Sequence, residues 1–244
     1  QSRNAPRQGE DIERSLQISF EEAAFGCSKD ITVNRVEKCA DCDGSGAAKG
    51  SKVETCSTCH GTGQVRTTRR TCKTCRGTGK NSARKTLEVK IPAGIDDDQT
   101  VVLRGQGNQG ANGGPSGDLL ITVRVGRHEF FTREGSNLRC TVPITFAQAA
   151  LGDTIEVPGL EGTFQYTIPE GVQSGTVFRI KNRGIVQINT KNRGDYLLTV
   201  VVETPRSLSG KQKELLREFE SLSQDKNNIQ RKGFFDKVRA KFNK

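Results

Sequence analysis

The chain is 244 residues long, enough for one large or two modest domains, each with a core of its own. Hydrophobic residues make up 32% and aromatics 5%, against 27 glycines and 27% charged residues, which disfavours a single deeply buried enzyme fold and favours thin, loop-rich β-domains. The formal net charge of +10 divides into +8 between Asn34 and Lys90, +6 from Pro205 to Lys244 and −4 over the remainder. No apolar run approaches the roughly 18 residues that cross a bilayer and no charged-then-apolar leader is visible, so the expectation is a soluble protein without membrane contact. A chain that starts at Gln1 and has no Met reads as a piece of a longer one.

In chain order, Leu16, Ile18 and Phe20, then Ile31 and Val33, alternate with polar residues, the period of two expected of strands with one wet face. Cys27, and later Cys140, stand alone in strand-like sequence and read as small hydrophobes. Six cysteines then fall in three C-x-x-C pairs, Cys39/Cys42, Cys56/Cys59 and Cys72/Cys75. Strand alternation resumes at Leu87, Val89 and Ile91, continues at Val101 and Leu103, and ends this half of the chain at Leu119, Ile121, Val123 and Val125. The stretch from Gly105 to Gly117 is a glycine-rich loop. It lacks both the G-x-G-x-x-G of a strand-to-helix turn and a G-K-[ST], so a nucleotide site is not expected there. His60 and His128 have no nucleophile at a recognised spacing, and no enzyme active site is legible.

Much of this pattern occurs twice. Ile91-Pro92-Ala93-Gly94-Ile95 returns 77 residues later as Ile168-Pro169-Glu170-Gly171-Val172, and Gly117-Asp118-Leu119-Leu120-Ile121-Thr122-Val123 as Gly194-Asp195-Tyr196-Leu197-Leu198-Thr199-Val200. Upstream, Ile18-Ser19-Phe20-Glu21-Glu22-Ala23-Ala24-Phe25-Gly26 matches Ile144-Thr145-Phe146-Ala147-Gln148-Ala149-Ala150-Leu151-Gly152 at an offset of 126. The two offsets differ by 49, close to the length of the cysteine-rich segment. The expected architecture is therefore mainly β. Two tandem duplicated sandwich-like domains span residues 10–125 and 126–204, and a cysteine-rich insert occupies 36–82 of the first. From residue 205 to 244 the period becomes helical: Ser209 is placed to cap a helix carrying Leu215, Phe219 and Leu222 on one face, and Phe234, Phe235, Val238 and Phe242 form a second apolar stripe. That stripe either packs on the second domain or forms a dimer interface.

Each C-x-x-C puts two thiolates on one tight turn, half of a tetrahedral zinc site, and a second such turn completes it. Glycines follow every pair, as in Cys42-Asp43-Gly44-Ser45-Gly46, Cys59-His60-Gly61-Thr62-Gly63 and Cys75-Arg76-Gly77-Thr78-Gly79, letting the chain fold back so that backbone N–H groups point at sulfur. A zinc site with four thiolate ligands carries a net charge of −2, so part of the local positive charge is compensation. No aromatic residue lies between Asn34 and Lys90 to stack on bases, which weighs against nucleic acid. Thiol–disulfide exchange is the remaining alternative, open only to a C-x-x-C not consumed by metal.

The three C-x-x-C-x-G-x-G modules, the Phe20-Glu21-Glu22-Ala23 stretch, Lys85 to Gly94, Phe146 to Asp153 and Lys232-Gly233-Phe234-Phe235-Asp236 together resemble the C-terminal region of DnaJ co-chaperones of the zinc-containing class. The resemblance implies a cytoplasmic, non-enzymatic protein that binds extended hydrophobic segments of unfolded polypeptides, prevents their aggregation and delivers them to a DnaK-type chaperone. It further implies a client groove lined by the segments holding Leu16, Ile18, Ile31, Val33, Leu87 and Phe131, and a homodimer through Phe234, Phe235, Val238 and Phe242. Two departures stand out. Neither histidine is followed by the Pro-Asp of the family's J-domain triplet, so stimulation of the partner's ATPase is not expected of these residues. The family has four cysteine modules and this chain has three, the third of the family being the one missing. The family pairs its first and fourth modules, and its second and third. Carried over, Cys39, Cys42, Cys72 and Cys75 form one complete Zn2+ site, while Cys56 and Cys59 are half of a second that needs the missing module.

Overall fold

The computed structural model describes residues 5–49 and 70–242. The first copy of the repeat contains β1 (Ile12–Ile18), β2 (Cys27–Lys38), β3 (Lys80–Ile91), β4 (Thr100–Leu103) and β5 (Leu119–Val125). β1, β5 and β4 form a sheet in that order, with β1 parallel to β5. β2 and β3 form a separate antiparallel hairpin in unbroken register from Cys27 opposite Ile91 to Lys38 opposite Lys80. The alternation seen in the sequence turns one face of each strand inward. Ile12, Ile18, Val33, Val89, Ile91, Leu119, Ile121 and Val123 meet in one core, to which Ala23 and Ile95 also belong. Each such burial contributes about 1.5–3 kcal/mol, enough for these sheets to hold the copy together.

The second copy contains β6 (Phe131–Glu134), β7 (Asn137–Thr145), β8 (Asp153–Gly159), β9 (Gly162–Ile168), β10 (Val177–Ile180) and β11 (Tyr196–Glu203). Its sheet runs β10-β11-β7-β6, and β8 and β9 form the hairpin. By the repeat offsets, β7 takes the place of β1, β11 that of β5, β10 that of β4, and β8–β9 that of β2–β3. The duplication extends to single hydrogen bonds. The Asp118 N–H donates to Asp11 Oδ1 at 2.7 Å, and at the equivalent place the Asp195 N–H donates to Asn137 Oδ1 at 2.8 Å.

A short helix follows the first strand in each copy, α1 (Phe20–Phe25) and α2 (Phe146–Leu151). Phe20, which the alternation assigns to a strand, instead opens α1. Ser19 and Glu22 close a reciprocal capping box, as Thr145 and Gln148 do in α2, and the two reciprocal bonds end the strand at the cap. At the C-terminus, Ser209 caps α3 (Gly210–Leu222) in the same way, and α4 (Ile229–Phe242) follows.

Contacts group into two compact units. One comprises Gln1–Val142, Glu156–Tyr166 and Thr176–Val200; the other comprises Pro143–Ile155, Thr167–Gly175 and Val201–Lys244. Two of the aligned differences between the copies, both within the first unit, bear on the hairpin edge. Thr32 of β2 corresponds to Pro158 of β8, and buried Leu119 corresponds to buried Tyr196, whose hydroxyl donates to the Pro158 carbonyl at 2.7 Å.

Candidate functional site

The hairpin β2–β3 carries the cysteine modules at its far end, with Cys39 directly after β2 and Gly79 directly before β3. Four sulfurs, those of Cys39, Cys42, Cys72 and Cys75, lie within 4.8 Å of one another and are all buried. The Cys39 and Cys72 sulfurs are 3.8 Å apart and those of Cys42 and Cys75 are 3.6 Å apart. Disulfides would require about 2.05 Å. A tetrahedron with metal–sulfur bonds of about 2.3 Å has edges of about 3.8 Å, so this set fits a tetrahedral dication such as Zn2+.

Backbone hydrogen bonds hold the first and last modules against one another. The Cys39 N–H donates to the Gly79 carbonyl and the Cys72 N–H to the Gly46 carbonyl, both at 3.0 Å. The Thr74 hydroxyl donates to the Asp41 carboxylate across the same seam. Gly46 and Gly79 have positive φ and press on the opposite module: a Cβ on Gly46 would run into the Gly77 carbonyl, and one on Gly79 into the Gly44 carbonyl. From these turns the Gly46 N–H reaches Cys42 Sγ and the Gly79 N–H reaches Cys75 Sγ, each at 3.3 Å, and Asn81 Nδ2 approaches Cys39 Sγ at 3.5 Å.

Burial pushes the Cys39 thiol up to about 11. Burial acts on Cys42 in the same direction, but the Gly46 N–H and the neighbouring sulfurs outweigh it and hold that thiol below its ordinary value. A bound dication would draw all four to thiolate, the form that ligates metal. Apart from these sulfurs, the only buried apolar residue of the described insert is Ala47, so the modules have no apolar core comparable to that of the sheets. Cys56, Cys59 and His60 lie outside the described residues.

The groove residues separate by burial. Ile18, Val33 and Phe131 are buried side chains, whereas Leu16, Ile31 and Leu87 are partly exposed at the margin of the first core. Ile31 and Leu87 are directly opposed on β2 and β3. β2 bonds to β3 along one side only, and Val36 shows which of its groups face the other side. The Val36 N–H donates to Asn108 Oδ1 and the Val36 carbonyl accepts from the Gln109 N–H, both at 2.8 Å. Alternation along an unbroken antiparallel pair then turns the N–H and carbonyl groups of Ser28, Asp30, Thr32 and Asn34 to the same free side, where they have no main-chain partner among the described residues.

His128 is structural. Its Nδ1 accepts from the Phe130 and Phe131 N–H groups at 3.0 and 3.2 Å, which places the ring proton on Nε2, 2.9 Å from Glu21 Oε1, and its ring stacks on Phe131. In α4, Phe234, Phe235 and Phe242 are 62%, 48% and 72% exposed, and Val238 is partly exposed. On α3, Phe219 meets Phe146 edge to face, yet both remain about half exposed. No helix among the described residues is long and apolar enough to cross a membrane.

The residues that sequence reasoning missed here are Asn108 and Gln109 and the free-edge groups of β2. The glycine-rich composition marks the loop but not its target, which lies about 70 residues away in the chain.

Comparison with known proteins places this geometry in a family. The DnaJ C terminal domain matches residues 12–205, and the Chaperone protein DnaJ C-terminal region matches residues 211–244. Chaperone protein DnaJ of Ruminiclostridium cellulolyticum is 47% identical over 265 aligned positions, covering 99% of this chain and 70% of that protein. Those of Acetivibrio thermocellus and Clostridioides difficile are 45% and 48% identical, with 98% of this chain and 68% of each relative covered. An alignment of 265 positions exceeds a chain of 244 by 21, so it contains at least that many positions with no residue here, room for one cysteine module with its spacer. From residue 12 to its C-terminus, the chain belongs to the DnaJ family of chaperones.

Proposed function

We propose that this chain is the client-binding part of a DnaJ co-chaperone, and that an extended apolar segment of an unfolded polypeptide pairs with the free edge of β2. The observation that carries this reading is the run of outward N–H and carbonyl groups on Ser28, Asp30, Thr32 and Asn34, on a hairpin whose Ile31 and Leu87, like Leu16 of β1, are partly exposed at the margin of the first core. Main-chain pairing gives sequence-tolerant affinity, and alternate side chains of the client turn toward the apolar margin. Ile18 and Val33 belong to the core that this margin borders, and Phe131 is buried on β6 against Phe20, His128 and Tyr196. Binding needs no catalysis by this chain.

Zn2+ held by Cys39, Cys42, Cys72 and Cys75 takes the place of a core in the hairpin tip and so keeps β2 straight to its end. Cys56 and Cys59 remain half of a second site whose partner module lies among the missing positions, giving one zinc per chain. Exposed Phe234, Phe235 and Phe242 with Val238 support a homodimer through α4, which presents two edges to one long client and raises the effective concentration of the second. Hand-over to a DnaK-type chaperone in the cytoplasm completes the role, with the domain bounds 10–125, 126–204 and 205–244 as its working parts.

The test is suppression of aggregation of a chemically unfolded protein, with the chain at equimolar ratio. Suppression that persists in the Cys56→Ser/Cys59→Ser variant supports the reading. Loss of all suppression in that variant, with zinc content unchanged, would transfer the function to the thiols and overturn it.

A further inference from the structure

The glycine-rich loop between β4 and β5 has no part in the metal centre, yet it is tied to β2–β3 by four bonds. Besides the pair at Val36, Gln106 Oε1 accepts from Arg35 Nη1 at 2.6 Å and the Gln109 carbonyl accepts from Lys80 Nζ at 3.2 Å. Asn108 is itself fixed from behind: its N–H donates to the Glu10 carbonyl at 2.9 Å and its carbonyl accepts from the Gly117 N–H at 3.0 Å. Gly9 lies so close to this segment that a Cβ there would collide with the Asn108 carbonyl. A short piece of the chain thus already occupies the outer edge of β2, giving Val36 one acceptor and one donor as an added strand would.

We infer that Asn108 and Gln109 are the end-stop of the client edge, setting the length and register of the segment that pairs there. This rests on the edge-pairing reading above. The open groups run from Ser28 to Asn34, and the next outward pair, at Val36, is taken. A client strand therefore has four pairing positions and ends opposite Asn34. Asn108 is a specificity-determining residue because its side-chain carbonyl occupies the Val36 N–H that a longer client would otherwise use. The second copy has no such stop, since the repeat places Ile185 where the first has Asn108, and Ile185 is buried without an amide to offer.

The experiment is amide exchange followed by NMR on the zinc-loaded chain, free and with apolar peptides of seven and eleven residues. In the unsubstituted protein, either peptide is expected to slow exchange at Ser28, Asp30, Thr32 and Asn34, while Val36 is slow with or without peptide. In Asn108→Ala, Val36 exchanges rapidly when free and is slowed by the eleven-residue peptide, which then binds about three- to tenfold more tightly relative to the shorter one than it does in the unsubstituted protein. Asn108→Asp keeps an acceptor and is expected to restore the original ratio, separating the stop from a general loosening of the loop. An unchanged length preference in Asn108→Ala with Val36 still unprotected by the longer peptide would overturn the end-stop and leave edge pairing intact. Absence of slowing from Ser28 to Asn34 in the unsubstituted protein would overturn edge pairing and the end-stop with it.

Discussion

The two copies of the repeat share strand order, helix caps and even single backbone bonds, but treat the outer edge of the hairpin differently. In the first copy β2 runs for 12 residues to the cysteine modules and keeps Thr32 at the middle of its open side. In the second, the aligned residue is Pro158, which has no N–H, and its carbonyl is taken by the Tyr196 hydroxyl. The partner of that carbonyl, Tyr196, replaces Leu119 of the first copy, so one change in the core and one on the strand together block this position of the edge. Phe164, the counterpart of Leu87, is covered by Tyr196 on one side and by the Arg183 guanidinium 4.9 Å over its ring. A duplicated fold can thus leave one edge open at a position where the other is blocked, on nearly the same backbone.

The contrast is broken most severely by removing the metal. Structural zinc in small modules contributes on the order of 10 kcal/mol, and among the described residues the four sulfurs and Ala47 are all that the modules bury of apolar side chain. Chelation, or Cys39→Ser with Cys72→Ser, is expected to unfold the hairpin tip and expose residues 38–49 and 70–80 to protease, while the second copy keeps its amide protection. Acid should do the same reversibly: thiolates take up protons as pH falls, so zinc affinity falls with pH and the tip loosens before the sheets do. Equal loss of protection in both copies would show that the tip is not the metal-dependent part.

Next in size is a matched pair of glycines. Gly94 and Gly171 occupy the same turn with φ of +83° and +74°, yet a Cβ on Gly94 would strike the Val186 carbonyl, while nothing lies within 4 Å of one on Gly171. Gly171→Ala should cost about 1–2 kcal/mol of unfolding free energy for the left-handed backbone alone. Gly94→Ala should cost about 3 kcal/mol or more, because a backbone carbonyl must also move. Denaturant midpoints compare them directly.

Thr32→Pro copies the blocked position into the first copy. The lost N–H faces away from β3, so the hairpin should persist, and affinity for an extended apolar peptide is expected to fall about tenfold. Calorimetric titration measures this. The smallest effect is that of Tyr196→Phe, which removes the hydroxyl bond to Pro158 and should lower stability by about 1 kcal/mol without creating a client site, since residue 158 still lacks a donor.

Much of this was open to reading in the sequence, for definite reasons. The strands announced themselves because each is half buried and so alternates. The metal centre did so because C-x-x-C-x-G-x-G puts ligands and their glycine turns on one local motif. The short helices did not, because six residues are less than two turns and show no period; the Ser19…Glu22 and Thr145…Gln148 capping boxes were the readable signal. The burial of Ile18 and Val33 beside the partial exposure of Leu16 and Ile31 depends on how the hairpin lies over the sheet, which alternation alone does not specify. The bonds from Asn108 and Gln109 to Val36 join residues far apart in the chain, and no local pattern encodes them.

The most direct test of the difference between the copies is a seven-residue apolar peptide bearing a nitroxide at one end, added to the zinc-loaded, methyl-labelled chain. Leu16, Ile31 and Leu87 should broaden strongly, and their counterparts Val142 and Val157 should remain sharp. Equal or stronger broadening at Val142 and Val157 would contradict the assignment of the client edge to the first copy.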